Sequence, residues 1–192
     1  YSNKQYLDSL KTTWVAYQER HQVDSTDFAA FCLHLPYPKL ALKGLNKIIP
    51  KDLNPENKER LTSNFEASIT YSRQIGNIYT GSLYLGLLSL LEQSQNLKTG
   101  DKIGFFSYGS GAVSEIFSGR LVEGYKDMLR SDRLDIFAQR HNLSVADYEQ
   151  LFYEEAQLDD TGSTQFNTYQ TGPFRLTEIS EHQRIYKGNQ ND

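Results

Sequence analysis

Phe28-Ala-Ala-Phe-Cys-Leu-His34-Leu, followed at once by Pro36-Tyr-Pro38, is the stretch on which the reading of this chain turns. A short apolar run bounded downstream by prolines predicts a buried strand, since proline cannot donate to a sheet ladder. His34 then stands at the end of that strand, just before a turn, where α/β folds commonly expose functional groups. Position alone leaves two readings open: a functional imidazole, or a core histidine hydrogen-bonded to backbone. The second applies more strongly to His21, His141 and His182, which lie in polar surroundings and are assigned no role.

Working outward, Tyr6, Leu7, Leu10, Trp14 and Tyr17 recur at helical spacing over residues 2–20, with Lys4, Asp8, Lys11 and Glu19 mostly off that face, which predicts an amphipathic helix. Downstream, Pro38 suits the first position of a helix carrying Leu40, Leu42, Leu45 and Ile48 and ending at Pro50. Residues 55–67 read as a polar surface helix, and residues 80–95 as a longer one through Leu83, Leu87, Leu90 and Leu91. After the turn Lys98-Thr-Gly-Asp-Lys102, two strands are expected at 103–108 and 112–122, separated by Gly109-Ser110-Gly111. Helices follow at 125–141 and 144–156 as peripheral additions, the second with Ser144 as N-cap. Alternating segments at 174–179 and 183–186 suggest a closing hairpin. The order strand, three helices, strand, strand points to a layered α/β fold, without repeats, low-complexity tracts or an internal linker.

Composition bounds the function. A chain of 192 residues with 38% hydrophobic and 23% charged content suits one large or two small domains, and 13 tyrosines and 10 phenylalanines supply large core pieces. A net charge of -4 gives no general attraction to nucleic acid or an anionic membrane, so an anionic ligand needs a local basic cluster. The single cysteine, Cys32, excludes an internal disulfide framework and fits a reducing, cytoplasmic compartment. No run approaches the roughly 18 apolar residues of a membrane span, and no secretory leader is visible. The chain starts at Tyr1 and its only methionine is Met128, so it reads as a piece of a longer product.

Four constellations could carry chemistry. Cys32 and His34, two apart on a strand, share a face, but roughly 6.5 Å along the strand is too far for an easy hydrogen bond, and a lone cysteine in an apolar strand is usually packing. Lys39, Lys43 and Lys47 form a stripe on one helix face, open to two readings: a solvated lysine surface, or a contact for a phosphate-bearing ligand reaching toward His34. Asn77, in Gly76-Asn-Ile-Tyr-Thr-Gly81, reads in isolation as a cap or turn residue. Ser107-Tyr-Gly-Ser-Gly111 permits close backbone approach to a ligand but is no phosphate loop, because no Gly-Lys-Ser or Gly-Lys-Thr follows.

Taken together and in order, Phe31-Cys-Leu-His-Leu-Pro-Tyr-Pro-Lys-Leu-Ala-Leu-Lys43, Gly76-Asn-Ile-Tyr-Thr-Gly-Ser82 and Phe105-Phe-Ser-Tyr-Gly-Ser-Gly111 resemble the second half of 3-hydroxy-3-methylglutaryl-CoA (HMG-CoA) synthases, the bacterial branch above all. The resemblance runs over essentially the whole chain. It implies a thiolase-like fold, layered α-β-α-β-α, of which this chain is the C-terminal half, with residues 1–124 as the thiolase-like part and 125–192 as peripheral helices and a closing hairpin.

The implied reaction condenses acetyl-CoA with acetoacetyl-CoA in the mevalonate pathway. The nucleophilic cysteine and general-base glutamate of the family belong to the N-terminal half, and nothing here matches them, so the segment alone is expected to be inactive. The resemblance makes His34 the catalytic histidine that positions acetoacetyl-CoA, Asn77 and Ser110 polar residues of the acetoacetyl pocket, and Lys39 and Lys43 contacts for CoA. It implies no metal and no cofactor beyond CoA thioesters as substrates, and a homodimer whose partners include neither nucleic acid nor membrane. Alternatives are a related synthase of polyketide β-branching that acts on an acyl carrier protein, and a non-catalytic module keeping only the fold.

Overall fold

Four residues of the opening run, Ala30–Leu33, form strand β1, and all four are buried. The computed structural model describes residues 2–109, 111–130, 132–166 and 174–188, and the chain divides into two compact units, Tyr1–Gln139 and Arg140–Asp192.

In the first unit β1 follows helix α1 (Ser2–His21) and precedes helices α2 (Pro38–Ile48), α3 (Pro55–Ile75) and α4 (Gly81–Gln93), then strands β2 (Lys102–Gly109) and β3 (Val113–Arg120). The sheet order is β1-β2-β3, with β1 parallel to β2 and β2 antiparallel to β3. Side chains alternate across the pleat. Phe31, Leu33 and Phe106 join Tyr6, Leu10 and Trp14 of α1 and Leu40, Leu45 and Ile48 of α2 in one core. Ala30, Cys32, Ile103 and Phe105 join Leu83 and Leu90 of α4 in another. Covering on both faces explains why β1 is apolar throughout, and each fully buried Leu or Phe contributes roughly 1.5–3 kcal/mol.

Pro38 occupies the first turn of α2, where its missing N–H costs nothing. Gly44 lets α2 lie close on α1: a Cβ there would stand 2.8 Å from Leu10 Cδ2 and 3.4 Å from Tyr6 Cε1. Farther along α1, the Thr13 and Ser114 hydroxyls are 2.7 Å apart, and the Tyr17 hydroxyl donates to Ser118 Oγ at 2.9 Å, tying the helix to β3.

Two expectations are corrected. The segment beginning at Pro55 is no polar surface helix ending near residue 67; α3 runs to Ile75 and buries Leu61, Phe65, Ile69 and Tyr71 together with Asn64, Ser68 and Ser72. Its buried face is mixed: the Ser68 hydroxyl donates to the Phe65 carbonyl at 2.7 Å, and the Ser72 hydroxyl has no hydrogen-bond partner among the described residues. Asn64 Nδ2 donates to the Ala29 carbonyl at 2.8 Å, and the Ser89 hydroxyl bridges α4 to α3 by accepting from Tyr71 N–H and donating to the Ala67 carbonyl.

The long helix expected at 125–141 is instead a 3-10 turn, Tyr125–Met128, and a short helix α5, Arg133–Ala138. Tertiary partners dictate this path. Tyr125 donates to the Leu97 carbonyl at 3.0 Å, Arg130 N–H and Arg133 Nε both donate to Glu92 Oε1, and Phe137 packs edge-on to Tyr71. These ties hold the segment within the first unit, which runs to Gln139.

The second unit contains helix α6 (Val145–Tyr153), capped by Ser144 Oγ accepting from Asp147 N–H at 3.1 Å. Its strands β4 (Thr164–Gln165), β5 (Phe174–Ser180) and β6 (Gln183–Gly188) form an antiparallel sheet in that order, so the expected hairpin is present with a short third strand. No helix among the described residues is long and apolar enough to cross a membrane.

Candidate functional site

Because β1 and β2 are parallel, their carboxyl ends lie side by side, and the chain must leave both at one edge of the sheet. His34 is the first residue beyond β1, and Tyr108 and Gly109 close β2. A cavity of about 430 Å³ opens at this edge, walled by Tyr6 of α1, His34, Leu40 of α2, Asn77 and Tyr79 of the α3–α4 connection, and Tyr108. Strand ends of this kind are the usual ligand position of α/β folds.

The backbone of His34 is held on both sides. Its N–H donates to the Phe106 carbonyl at 2.7 Å, and its carbonyl accepts the Tyr6 hydroxyl at 2.8 Å. The half-buried imidazole lies between two tyrosine rings, with centroids 6.5 Å from Tyr6 and 6.1 Å from Tyr108. Among the described residues no hydrogen bond reaches its ring nitrogens, and burial holds its pKa below the ordinary 6.5. The ring is thus a neutral imidazole near pH 7, able to offer one N–H donor and one acceptor. Burial pushes the Tyr6 phenol up, so it stays a protonated donor.

Asn77 follows Gly76, which ends α3 with φ of +84°, a backbone state open to glycine at little cost. Its Oδ1 accepts from Tyr79 N–H at 2.8 Å and from Ser82 Oγ at 3.3 Å. Tyr79 is 81% exposed and adopts a left-handed backbone, φ +54°, which this side-chain turn supports.

Of the residues singled out in the sequence, His34 and Asn77 meet at the cavity. Ser110 lies outside the described residues, although its neighbour Gly109 borders the cavity. Lys39 and Lys43 stand on the exposed face of α2, outside the cavity wall, and among the described residues neither forms an ion pair.

The expectation that Cys32 and His34 share a face does not hold. The strand ends at Leu33, so its alternation lapses; Cys32 packs in the core beneath α4, while the His34 ring rests beside Tyr6 and Tyr108, which belong to the other core. Cys32 is fully buried and its thiol is pushed up, so it supplies no thiolate. Among the described residues no three His, Cys, Asp or Glu side chains gather as a metal site.

Three site residues escaped the sequence reading: Tyr6, Tyr79 and Tyr108. For Tyr6 a signal existed, since a tyrosine on the apolar face of an amphipathic helix must find a partner for its hydroxyl. Tyr108 lay within a quoted motif but was not selected. Tyr79 likewise lies within a quoted motif, Gly76-Asn-Ile-Tyr-Thr-Gly81, but composition gives no sign of its left-handed backbone.

Comparison with known proteins bears on this geometry. Residues 46–188 match the family model for the C terminal of hydroxymethylglutaryl-coenzyme A synthase. Over 159 residues the chain is 44% identical to the hydroxymethylglutaryl-CoA synthase of Enterococcus faecalis, covering 82% of this chain and 41% of that protein. A crystal structure of HMG-CoA synthase complexed with CoA superposes with a TM-score of 0.90 at 66% identity, covering 98% of this chain and 48% of that one. The HMG synthase of the curacin biosynthetic pathway, in complex with a holo donor acyl carrier protein, superposes with a TM-score of 0.75 at 25% identity, covering 97% and 50%. The chain therefore spans about half the length, or less, of these relatives. The shared α/β architecture is the thiolase-like one expected from the sequence.

Proposed function

The chain belongs to the C-terminal family of hydroxymethylglutaryl-CoA synthases, and from that premise we propose that it forms the second-substrate side of an enzyme condensing acetyl-CoA with acetoacetyl-CoA to give HMG-CoA. The observation that carries the reading is His34, clamped at the strand ends and facing a cavity shared with Asn77.

In this reaction the acetyl group is carried on a cysteine of the N-terminal half, its methyl carbon gives a proton to a base, the resulting carbanion attacks the ketone of acetoacetyl-CoA, and water then hydrolyses the cysteine thioester to release HMG-CoA. Negative charge grows on the ketone oxygen. A neutral His34 with one N–H aimed at that oxygen stabilises the forming alkoxide, and such a preorganised donor is worth roughly 10²–10³ in rate. Asn77 lines the same pocket. Lys39 and Lys43 are free to meet the phosphates of CoA as they approach over α2, which resolves their awkward concentration of positive charge near a helix N-terminus. Ser110 is assigned to substrate binding in this reading by the family resemblance alone. The enzyme so composed needs no cofactor, acts in the mevalonate pathway of the cytoplasm, works as a homodimer, and is inactive without its N-terminal half.

The test uses the intact enzyme. His34→Ala is expected to retain acetylation of the cysteine but to lose condensation by about 10²–10³. Equal condensation rates in variant and parent would reject the role given to His34. Lys43→Ala should raise the Michaelis constant for acetoacetyl-CoA, and an unchanged value would remove the CoA assignment. The likeness to the curacin synthase favours a second reading, action on an acyl group carried by a protein. Turnover with carrier-bound but not free acetoacetyl thioester would select it.

A further inference from the structure

Resting on the substrate pocket proposed above, we infer that Ser82 is a positioning residue that fixes which end of the Asn77 amide faces the ligand. Ser82 is fully buried in the first turn of α4. Its Oγ accepts from Ile78 N–H at 3.0 Å and lies 3.3 Å from Asn77 Oδ1, while Tyr79 N–H donates to the same Oδ1 at 2.8 Å. A backbone N–H can only donate, so the atom of Asn77 that meets Tyr79 must be the oxygen. The Ile78 N–H uses a lone pair of the Ser82 hydroxyl, leaving its proton for Asn77 Oδ1.

The chain of bonds therefore has one direction, from Ile78 through Ser82 to Asn77, and a second donor arrives from Tyr79. Both lone pairs of Oδ1 are engaged within the loop. The amide nitrogen is the group left to serve the cavity, and it is a donor polarised by the bonds its oxygen accepts. With a neutral His34 N–H in the same wall, the pocket selects a ligand presenting two oxygen acceptors, as the ketone and thioester carbonyls of a 3-oxoacyl thioester do. A 3-hydroxyacyl thioester, whose hydroxyl supplies a proton, fits less well.

The experiment is a double-mutant cycle in the intact enzyme, with the rate of cysteine acetylation reporting that each variant folds. Ser82→Ala should lower kcat/KM for acetoacetyl-CoA by about five- to tenfold, the scale of one hydrogen bond. In an Asn77→Ala background the same change should cost less than about twofold, because Ser82 then has nothing to orient. An equal loss in both backgrounds would overturn the inference, since Ser82 would then act on packing alone. Asn77→Asp supplies a second measurement: the carboxylate keeps both bonds within the loop, loses the donor and adds a negative charge facing the ligand. It should fall at least as far as Asn77→Ala, and parental activity would overturn the donor assignment. Unchanged kinetics for both Asn77 variants would instead remove Asn77 from the pocket and reject the underlying reading.

Discussion

Replacing Tyr6 with phenylalanine removes one oxygen atom and tests whether the clamp on His34 matters. The ring itself stays, with its edge-on contacts to Phe106 at 5.4 Å and Tyr108 at 5.5 Å. What disappears is the 2.8 Å hydrogen bond to the His34 carbonyl. An ordinary intramolecular hydrogen bond nets about 0.5–1.5 kcal/mol, and an acceptor left buried without a partner costs about 1–3 kcal/mol. Tyr6 borders the cavity, so water can reach the vacated place, and the loss should settle near 1 kcal/mol. Chemical denaturation of the intact enzyme should show a lower midpoint at unchanged slope. Condensation should slow several-fold while cysteine acetylation does not, because only the segment bearing His34 is loosened. The deficit should be constant across the neutral range, since the phenol does not ionise there. Parental stability together with parental condensation would refute the reasoning, and a loss well above 3 kcal/mol would show that the ring had moved as well.

Three further outcomes follow from the same structure. The His34 pKa is depressed in the folded chain, so the unfolded chain takes up a proton first as pH falls through about 6.5; stability is whole above that value and declines as pH drops through the folded pKa. Stability measured against pH in His34→Gln should lack this acid slope, and an unaltered slope would assign it elsewhere. At Glu92, burial pushes the carboxyl up, but hydrogen bonds from Tyr71, at 2.5 Å, and from Arg133 and Arg130 outweigh it and leave the group ionised below its ordinary range. Glu92→Gln should weaken this anchor by about 1–2 kcal/mol and speed hydrogen exchange across residues 125–139, whereas unchanged protection there would contradict the anchoring role. Finally, a Cβ at Gly104 would lie 2.5 Å from two atoms of the buried Phe31 ring, so Gly104→Ala should destabilise by about 1–3 kcal/mol, and an unshifted denaturation midpoint would show that the ring has room to yield.

What could be read from the sequence depended on whether the signal was local. β1, its stop and α2 were legible because Pro36 and Pro38 act on their own neighbours. His34 was legible for the same reason, as the residue standing where the apolar run ends. α3 is longer and more deeply buried than its sequence suggests, because its buried face includes Asn64, Ser68 and Ser72, and the group that satisfies Asn64, the Ala29 carbonyl, lies 35 residues away. Residues 125–141 read in sequence as one helix, although Tyr125, Arg130 and Arg133 are drawn off a helical path by Leu97 and Glu92. In the site, Tyr6 meets His34 across 28 residues and so left only the general expectation that its hydroxyl has a partner. The Asn77–Ser82 bond spans only five residues, but it depends on the backbone turn at Gly76 and Tyr79, which composition does not specify.

The two-sided hold on the His34 peptide also limits how the imidazole can move. With N–H fixed to Phe106 and carbonyl fixed to Tyr6, the backbone torsions are spent, and only χ1 and χ2 remain. The ring nitrogens then sweep an arc about a stationary Cβ, like a hand on a pinned wrist. In the condensation proposed above, a reacting oxygen would have to be delivered onto that arc, so the adjustments would fall to the ligand and to the 76–81 connection, with the histidine as the reference against which both are aligned.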